Sequence, residues 1–227
     1  MAHRTLVLAT AAVLAGLGQA SARDAAPKVP TALVEDVKSA TAGVDFMDYV
    51  GSGQVIKLAP HDTLVLSYLQ SCEQETITGG TVIVGTERSA VQGGQVARTK
   101  APCDGGKIRL SDAEASKSAA SAFRVQSAET EITLYAQAPA VAFPKMLPSA
   151  DRTLVIRRVG RPGERHTIRI SDASAAVGFF DLAKINLSLA RGGVYMASLA
   201  GQNVPFRIDA NAQSGPAPIA SRLLRFE

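Results

Sequence analysis

A glycine doublet followed by a short run of β-formers recurs through the first half of the chain. It appears as Gly79-Gly80-Thr81-Val82-Ile83, Gly93-Gly94-Gln95-Val96-Ala97 and Gly105-Gly106-Lys107-Ile108-Arg109, after an earlier variant, Gly51-Ser52-Gly53-Gln54-Val55-Ile56. The doublets stand 14 and 12 residues apart, the spacing of strands linked by tight turns. Such turns often need positive φ, which glycine adopts without steric cost. A phosphate-cradling use would need the glycines to open a helix. Here they open strands, and neither GxGxxG nor GxxxxGK[ST] occurs. The pattern predicts an all-β protein with short strands and Gly turns.

The first 22 residues read as a secretory signal. Arg4 supplies the positive start, Leu6 to Leu17 the apolar run, and Ala20-Ser21-Ala22 a small-x-small cleavage site. The run is shorter than the roughly 20 residues needed to span a bilayer core, and no cysteine follows it to carry a lipid. The expectation is a periplasmic or secreted protein that is not an integral membrane protein. Of the formal charge of +4, cleavage removes only Arg4, and the remaining charges are interspersed, which argues against a nucleic-acid partner. The densest basic stretch, Arg152 to Arg165 with Arg157, Arg158 and Arg161 between, is read as the solvent side of strands in preference to a polyanion site. The two cysteines, Cys72 and Cys103, form no CxxC. In an oxidising compartment they read as one structural disulfide, closing a loop worth about 3–4 kcal/mol by chain entropy.

Four segments are expected beyond that point. Residues 23–43 form an N-terminal arm, with a short helix from Thr31 to Ala40 as an option. Residues 44–110 form a disulfide-pinned β domain, with strands at Phe46–Val50, Gln54–Leu58, Thr63–Leu69, Thr81–Val84, Gln95–Arg98 and Lys107–Leu110, and a turn at Pro60-His61-Asp62. Residues 111–122 make a linker, poor in anything to bury. Residues 123–227 form a second β-sandwich-like domain, giving two small sandwiches in all. In that half strands are expected at Ala122–Val125, Glu131–Gln137, Arg152–Val159 and Arg165–Ile170, with a turn at Gly160–Gly163. Three prolines make Pro139 to Pro148 a crossing loop or edge segment. Asp172 to Leu182 is either a short helix or a buried crossing. Ile185–Leu189 shows the clearest alternation, followed by Val194–Leu199 and Val204–Ile208, where Pro205 implies an edge or a bulge.

Chemistry is sparse. His61-Asp62 with Ser67, Ser71 or Ser89 could in principle serve a cell-envelope hydrolase, the alternative function, but there is no GxSxG and no cysteine beside a base. His61 and His166 are too far apart in sequence to mark a metal site, and no cofactor is implied. The pairs Asp45/Asp48 and Glu73/Glu75 give no sign of carboxylates facing across a cleft. With no Trp, four Tyr and seven Phe, stacking platforms for sugars or single strands are disfavoured, although Tyr49, Tyr68 and Tyr195 could each act singly. Asn186-Leu187-Ser188 matches the glycosylation acceptor but is explained by strand alternation. The segment singled out for binding is Glu73-Gln74-Glu75-Thr76, a polar strip beside Cys72.

Over residues 47–110 the chain resembles the periplasmic FecR-type β domain, on Gly53-Gln54-Val55-Ile56-Lys57-Leu58-Ala59-Pro60 and Gly80-Thr81-Val82-Ile83-Val84-Gly85. That resemblance implies envelope sensing, signalling or surface scaffolding. The cleavable signal replaces the cytoplasmic segment and membrane helix of the signalling form, and the cysteine pair is no part of the resemblance. The function expected is a non-catalytic exported envelope interaction or scaffolding module, its partner an envelope protein or cell-wall component. The sequence carries no sign of an oligomeric state.

Overall fold

The computed structural model describes residues 29–103, 132–215 and 217–226. The signal peptide, the strands expected at Lys107–Leu110 and Ala122–Val125, and the 111–122 linker lie outside the described residues. Within them the fold is all-β, with fourteen strands in three sheets and one short helix, α1 (Asp172–Val177).

The first sheet is antiparallel and holds β1 (Pro30–Lys38), β2 (Tyr49–Gly51), β3 (Val55–Tyr68), β4 (Glu73–Ile83), β5 (Ala90–Gln92) and β6 (Gln95–Lys100). Its order is β2-β1-β3-β4, with β5 and β6 sharing the far side of β4. The arm expected at 23–43 is corrected here: from Pro30 it is a strand held between β2 and β3. Ala32 to Glu35 are all buried, because both faces of β1 are covered. A strand covered on both sides loses the alternation by which strands are recognised.

The Pro60-His61-Asp62 turn is corrected too. The chain does not reverse there; β3 bulges. Pairing with β4 jumps from Leu58↔Gly80 to Thr63↔Thr78, so four residues of β3 stand opposite Gly79. The Gly79-Gly80 doublet is likewise no turn between strands. It lies inside β4, where the neighbour changes from β6 (through Thr78) to β5 (from Thr81). Both glycines have positive φ. A Cβ on Gly80 would sit 2.5 Å from the Gln92 carbonyl and 2.6 Å from the Gly94 nitrogen, and one on Gly94 would strike the Gly79 carbonyl. Two of the sequence repeats therefore interlock, the β5–β6 turn fitting onto the β4 kink.

The second sheet holds β7 (Ile132–Ala136), β9 (Thr153–Arg158), β10 (Arg165–Arg169), β12 (Val194–Leu199) and β13 (Gln202–Gln213), in the order β10-β9-β12-β13-β7. Only the β13–β7 pair is parallel within it. The β9–β10 hairpin and β12 lie where the alternation places them. β13 as a whole has a neighbour on each side, β12 and β7; Pro205 pairs with Met196 of β12, and the described pairing with β7 runs from Phe206↔Ile132.

The third sheet is small: β11 (Phe179–Asp181), β8 (Ala140–Ala142) and β14 (Leu223–Arg225), in the order β11-β8-β14. The Pro139–Pro148 segment therefore contains a fully buried central strand, β8, which its prolines flank and do not interrupt. Asp172 to Leu182 resolves as α1 followed by β11. Ile185–Leu189, expected as a strand, is instead the end of a 3-10 helix (Leu182–Ile185) and a loop. Asn186 there takes a left-handed conformation, and the apparent alternation comes from Leu187 and Leu189 reaching the core from irregular backbone.

Each large sheet covers its own core. Ile56, Leu64, Leu66, Tyr68, Ile77 and Val82 fill the first. Leu154, Ile156, Tyr195, Phe206 and Ile208 are central to the second. A third cluster, Leu33, Leu69, Ala140, Ala142 and Leu223, joins the far face of β1 to the small sheet. Phe46 meets Phe179 edge-on at 5.0 Å, and the Arg225 guanidinium lies 4.7 Å over the Tyr49 ring, a cation–π contact. Among the described residues no helix is long and apolar enough to cross a membrane.

Candidate functional site

The strip Glu73–Thr76 is the start of β4, and strand geometry divides it between two faces. Glu73 and Glu75 turn toward the first core, while Gln74 and Thr76 turn away. Glu75 is fully buried. Its cross-strand neighbour on β6 is Arg98, whose Nε donates to Oε1 at 2.8 Å, and the Ser89 amide donates to both carboxylate oxygens at 3.1 Å. Arg98 Nη2 also donates to the Ser89 carbonyl at 3.1 Å. The Ser89 and Tyr68 hydroxyls share a hydrogen bond of 2.7 Å, and burial pushes the Tyr68 phenol above its ordinary value. A buried carboxylate persists only when its charge and lone pairs are satisfied. Here a guanidinium and an amide do so.

On the other face Gln74 Nε2 donates to Glu35 Oε2 at 2.8 Å. The second oxygen of Glu35 accepts the Ala220 amide at 2.6 Å. That contact joins β1 to the 3-10 turn Ile219–Ser221 just before β14. Thr76 is exposed. Cys72 and Cys103 are disulfide-bonded with Cα atoms 5.6 Å apart, and the Ala101 amide donates to the Cys72 carbonyl at 3.0 Å. The bond thus fastens the chain leaving β6 to the turn entering β4. A crevice beside it, lined by Ser67, Leu69, Glu73, Gln74 and Ala220 among others, has a volume of about 10 Å³. That is room for a water, far below the roughly 300 Å³ at which small-molecule sites begin.

The hydrolytic candidates lie apart. His61 is exposed on the β3 bulge. The Asp62 carboxylate accepts the Ser39 hydroxyl at 2.6 Å and the Ala59 amide at 3.0 Å, and those bonds, Ser39 first, hold it below the usual carboxylate range. Ser67 faces Gln74 at 3.5 Å, Ser71 donates to the Glu87 carbonyl, and Ser89 is held by Tyr68. No hydrogen bond links His61 to any of the three among the described residues. His166 is half-buried on β10. Asp48 accepts the Asp45 amide in a local turn. Tyr68 and Tyr195 are buried in separate cores, with the Tyr195 hydroxyl donating to Glu164 at 2.8 Å, so the tyrosines share no surface. Among the described residues no three His, Cys, Asp or Glu side chains group as a metal site.

Sequence reasoning missed Arg98, Ser89 and Glu35, which lie 14 to 39 positions from their partners on β4. It also missed Arg222, buried and bidentate to Asp181 at 2.6 and 3.0 Å and bonded to the Ala138 and Ala217 carbonyls. Burial opposes the charge on Asp181, but Arg222 outweighs it and leaves the carboxyl below its ordinary value. No family model, curated protein or solved structure matches the chain.

Proposed function

We propose that the protein is a non-catalytic envelope interaction or scaffolding module, exported to the periplasm or beyond and built as two small β-sandwich-like units, the first FecR-like. Its partner, an envelope protein or cell-wall component, would add along the edge of β6. One observation carries this reading. β6 is six residues long with mostly exposed side chains, and among the described residues it pairs only with β4. An open edge of this kind offers a row of backbone donors and acceptors on which an extended segment can build. The strand is also pre-ordered, pinned mid-length by Arg98–Glu75 and at its end by the disulfide, so little entropy is lost when a partner adds. The disulfide is in keeping with an oxidising compartment.

The test combines capture and hydrogen exchange. The exported chain is used as bait in envelope extract, and the captured partner is then mixed with it for amide exchange. The expected result is new protection on alternate amides of Gln95–Lys100. Protection elsewhere, or retention by peptidoglycan with no change at β6, would overturn the edge reading.

A further inference from the structure

The outer face of the second sheet collects exposed arginines, and three of them, Arg157, Arg165 and Arg169, enter no ion pair among the described residues. Burial alternates along β9, β10 and β12, and along β13 as far as Ile208. The inward set is the second core. The outward set includes Arg157 on β9, Arg165 and Arg169 on β10 and Arg207 on β13, with Val155, Val194 and Met196 between them. Arg157 and Arg165 are direct cross-strand partners, on strands about 4.8 Å apart, and like charges so placed disfavour folding. Arg161 is exposed at the hairpin tip, beside Val159, which is 58% exposed. Glu164 is the only acidic residue between Asp151 and Asp172. Its carboxylate is taken up on the inward side by Arg158 at 2.9 Å and Tyr195 at 2.8 Å. Asp209, two residues past Arg207, accepts the Asn211 amide. Among the described residues no ion pair engages Arg157, Arg165 or Arg169.

We infer that this face, with the β9–β10 tip, docks onto an anionic lipid surface, with Arg157, Arg165 and Arg169 on headgroup phosphates and Val159 in the interfacial layer. A flat basic face that ends in an exposed aliphatic tip suits a membrane surface. A polynucleotide site would be expected to place aromatics among the cations; the outward residues of β9, β10, β12 and β13 include none, and Tyr135 lies on β7, at the opposite edge of the sheet from β10. The inference rests on the export reading only for where such lipid is met, because vesicle binding is read on the purified chain and export is read separately by cell fractionation.

The experiment is flotation with phosphatidylglycerol–phosphatidylcholine vesicles and with phosphatidylcholine alone. The expected result is binding to the anionic vesicles only, released as ionic strength rises and the screening length shrinks from about 30 Å to about 3 Å. The triple substitution Arg157→Gln, Arg165→Gln, Arg169→Gln should weaken partitioning by roughly a hundredfold. Neutralising exposed Lys57, Arg88 and Lys145 should change it by only a few-fold. Equal loss in both triples, no binding to anionic vesicles at low salt, or tighter binding to duplex DNA at the same salt would each overturn it. Should the arginine triple unfold, Val159→Asp reads the same tip and is expected to weaken binding without altering the unfolding midpoint.

Discussion

Arginine sits on both large sheets, and the two treat it in opposite ways. On the first sheet Arg98 lies across from Glu75, turned inward, bonded to the Glu75 carboxylate and the Ser89 carbonyl, with Glu73 Oε1 3.1 Å away. On the second, Arg157 lies across from Arg165, turned outward. The first arrangement neutralises a buried carboxylate and fastens β6 to β4. The second leaves two cations facing one another in solvent, which costs stability and leaves both free to bind. Position on the pleat decides which, since a shift by one residue exchanges the two faces. An arginine on a strand therefore carries no role of its own until its register and its neighbour are known.

The contrast breaks most readily on the first sheet. Arg98→Ala should destabilise the protein by about 3 kcal/mol in urea unfolding, because the buried Glu75 would lose its guanidinium and keep only the Ser89 amide. Replacing both partners with apolar residues, Glu75→Leu with Arg98→Met, should recover much of that loss. If the single substitution cost less than about 1 kcal/mol, in the range of exposed pairs, Glu75 would not be buried as described. An intermediate effect is expected at the other buried pair. The Asp181 carboxyl titrates below its ordinary value in the folded chain, so its contribution is present above about pH 4 and is lost as pH falls toward the lowered folded value. Asp181→Asn should flatten the acid limb of the stability–pH curve, measured by urea midpoints from neutral to acid pH. An unchanged slope would show that Arg222 does not sustain the charge.

Legibility followed exposure. The β9–β10 hairpin and β12 could be read because one face meets solvent and the other the core, so Leu154 and Ile156 alternate with Val155 and Arg157. β1 and β8 could not, because Ala32–Glu35 and Ala140–Ala142 are covered on both sides and their period of two disappears. The glycine doublets at Gly79-Gly80 and Gly93-Gly94 marked positions of unusual backbone, while Gly105-Gly106 lies outside the described residues. They did not say whether those positions join strands, as Gly93-Gly94 does, or kink one, as Gly79-Gly80 does, since each places a glycine at positive φ. The polar strip at Glu73–Thr76 stood out by composition and its neighbour Cys72 by type. What the strip touches did not: Arg98, Ser89, Glu35 and Ala220 reach it through pairings and packing that no local pattern encodes.

The smallest expected effect tests the central contrast most directly. A double-mutant cycle on Arg157→Gln and Arg165→Gln, read by urea unfolding, isolates the interaction between the two outward cations. Mutual repulsion predicts that each single substitution stabilises the fold slightly, with an unfavourable native coupling of about 0.2–1 kcal/mol that shrinks as salt is added. A coupling that is zero, or that favours the native pair, would contradict the account, because the two arginines would then support the sheet and the face would have no charge held in reserve.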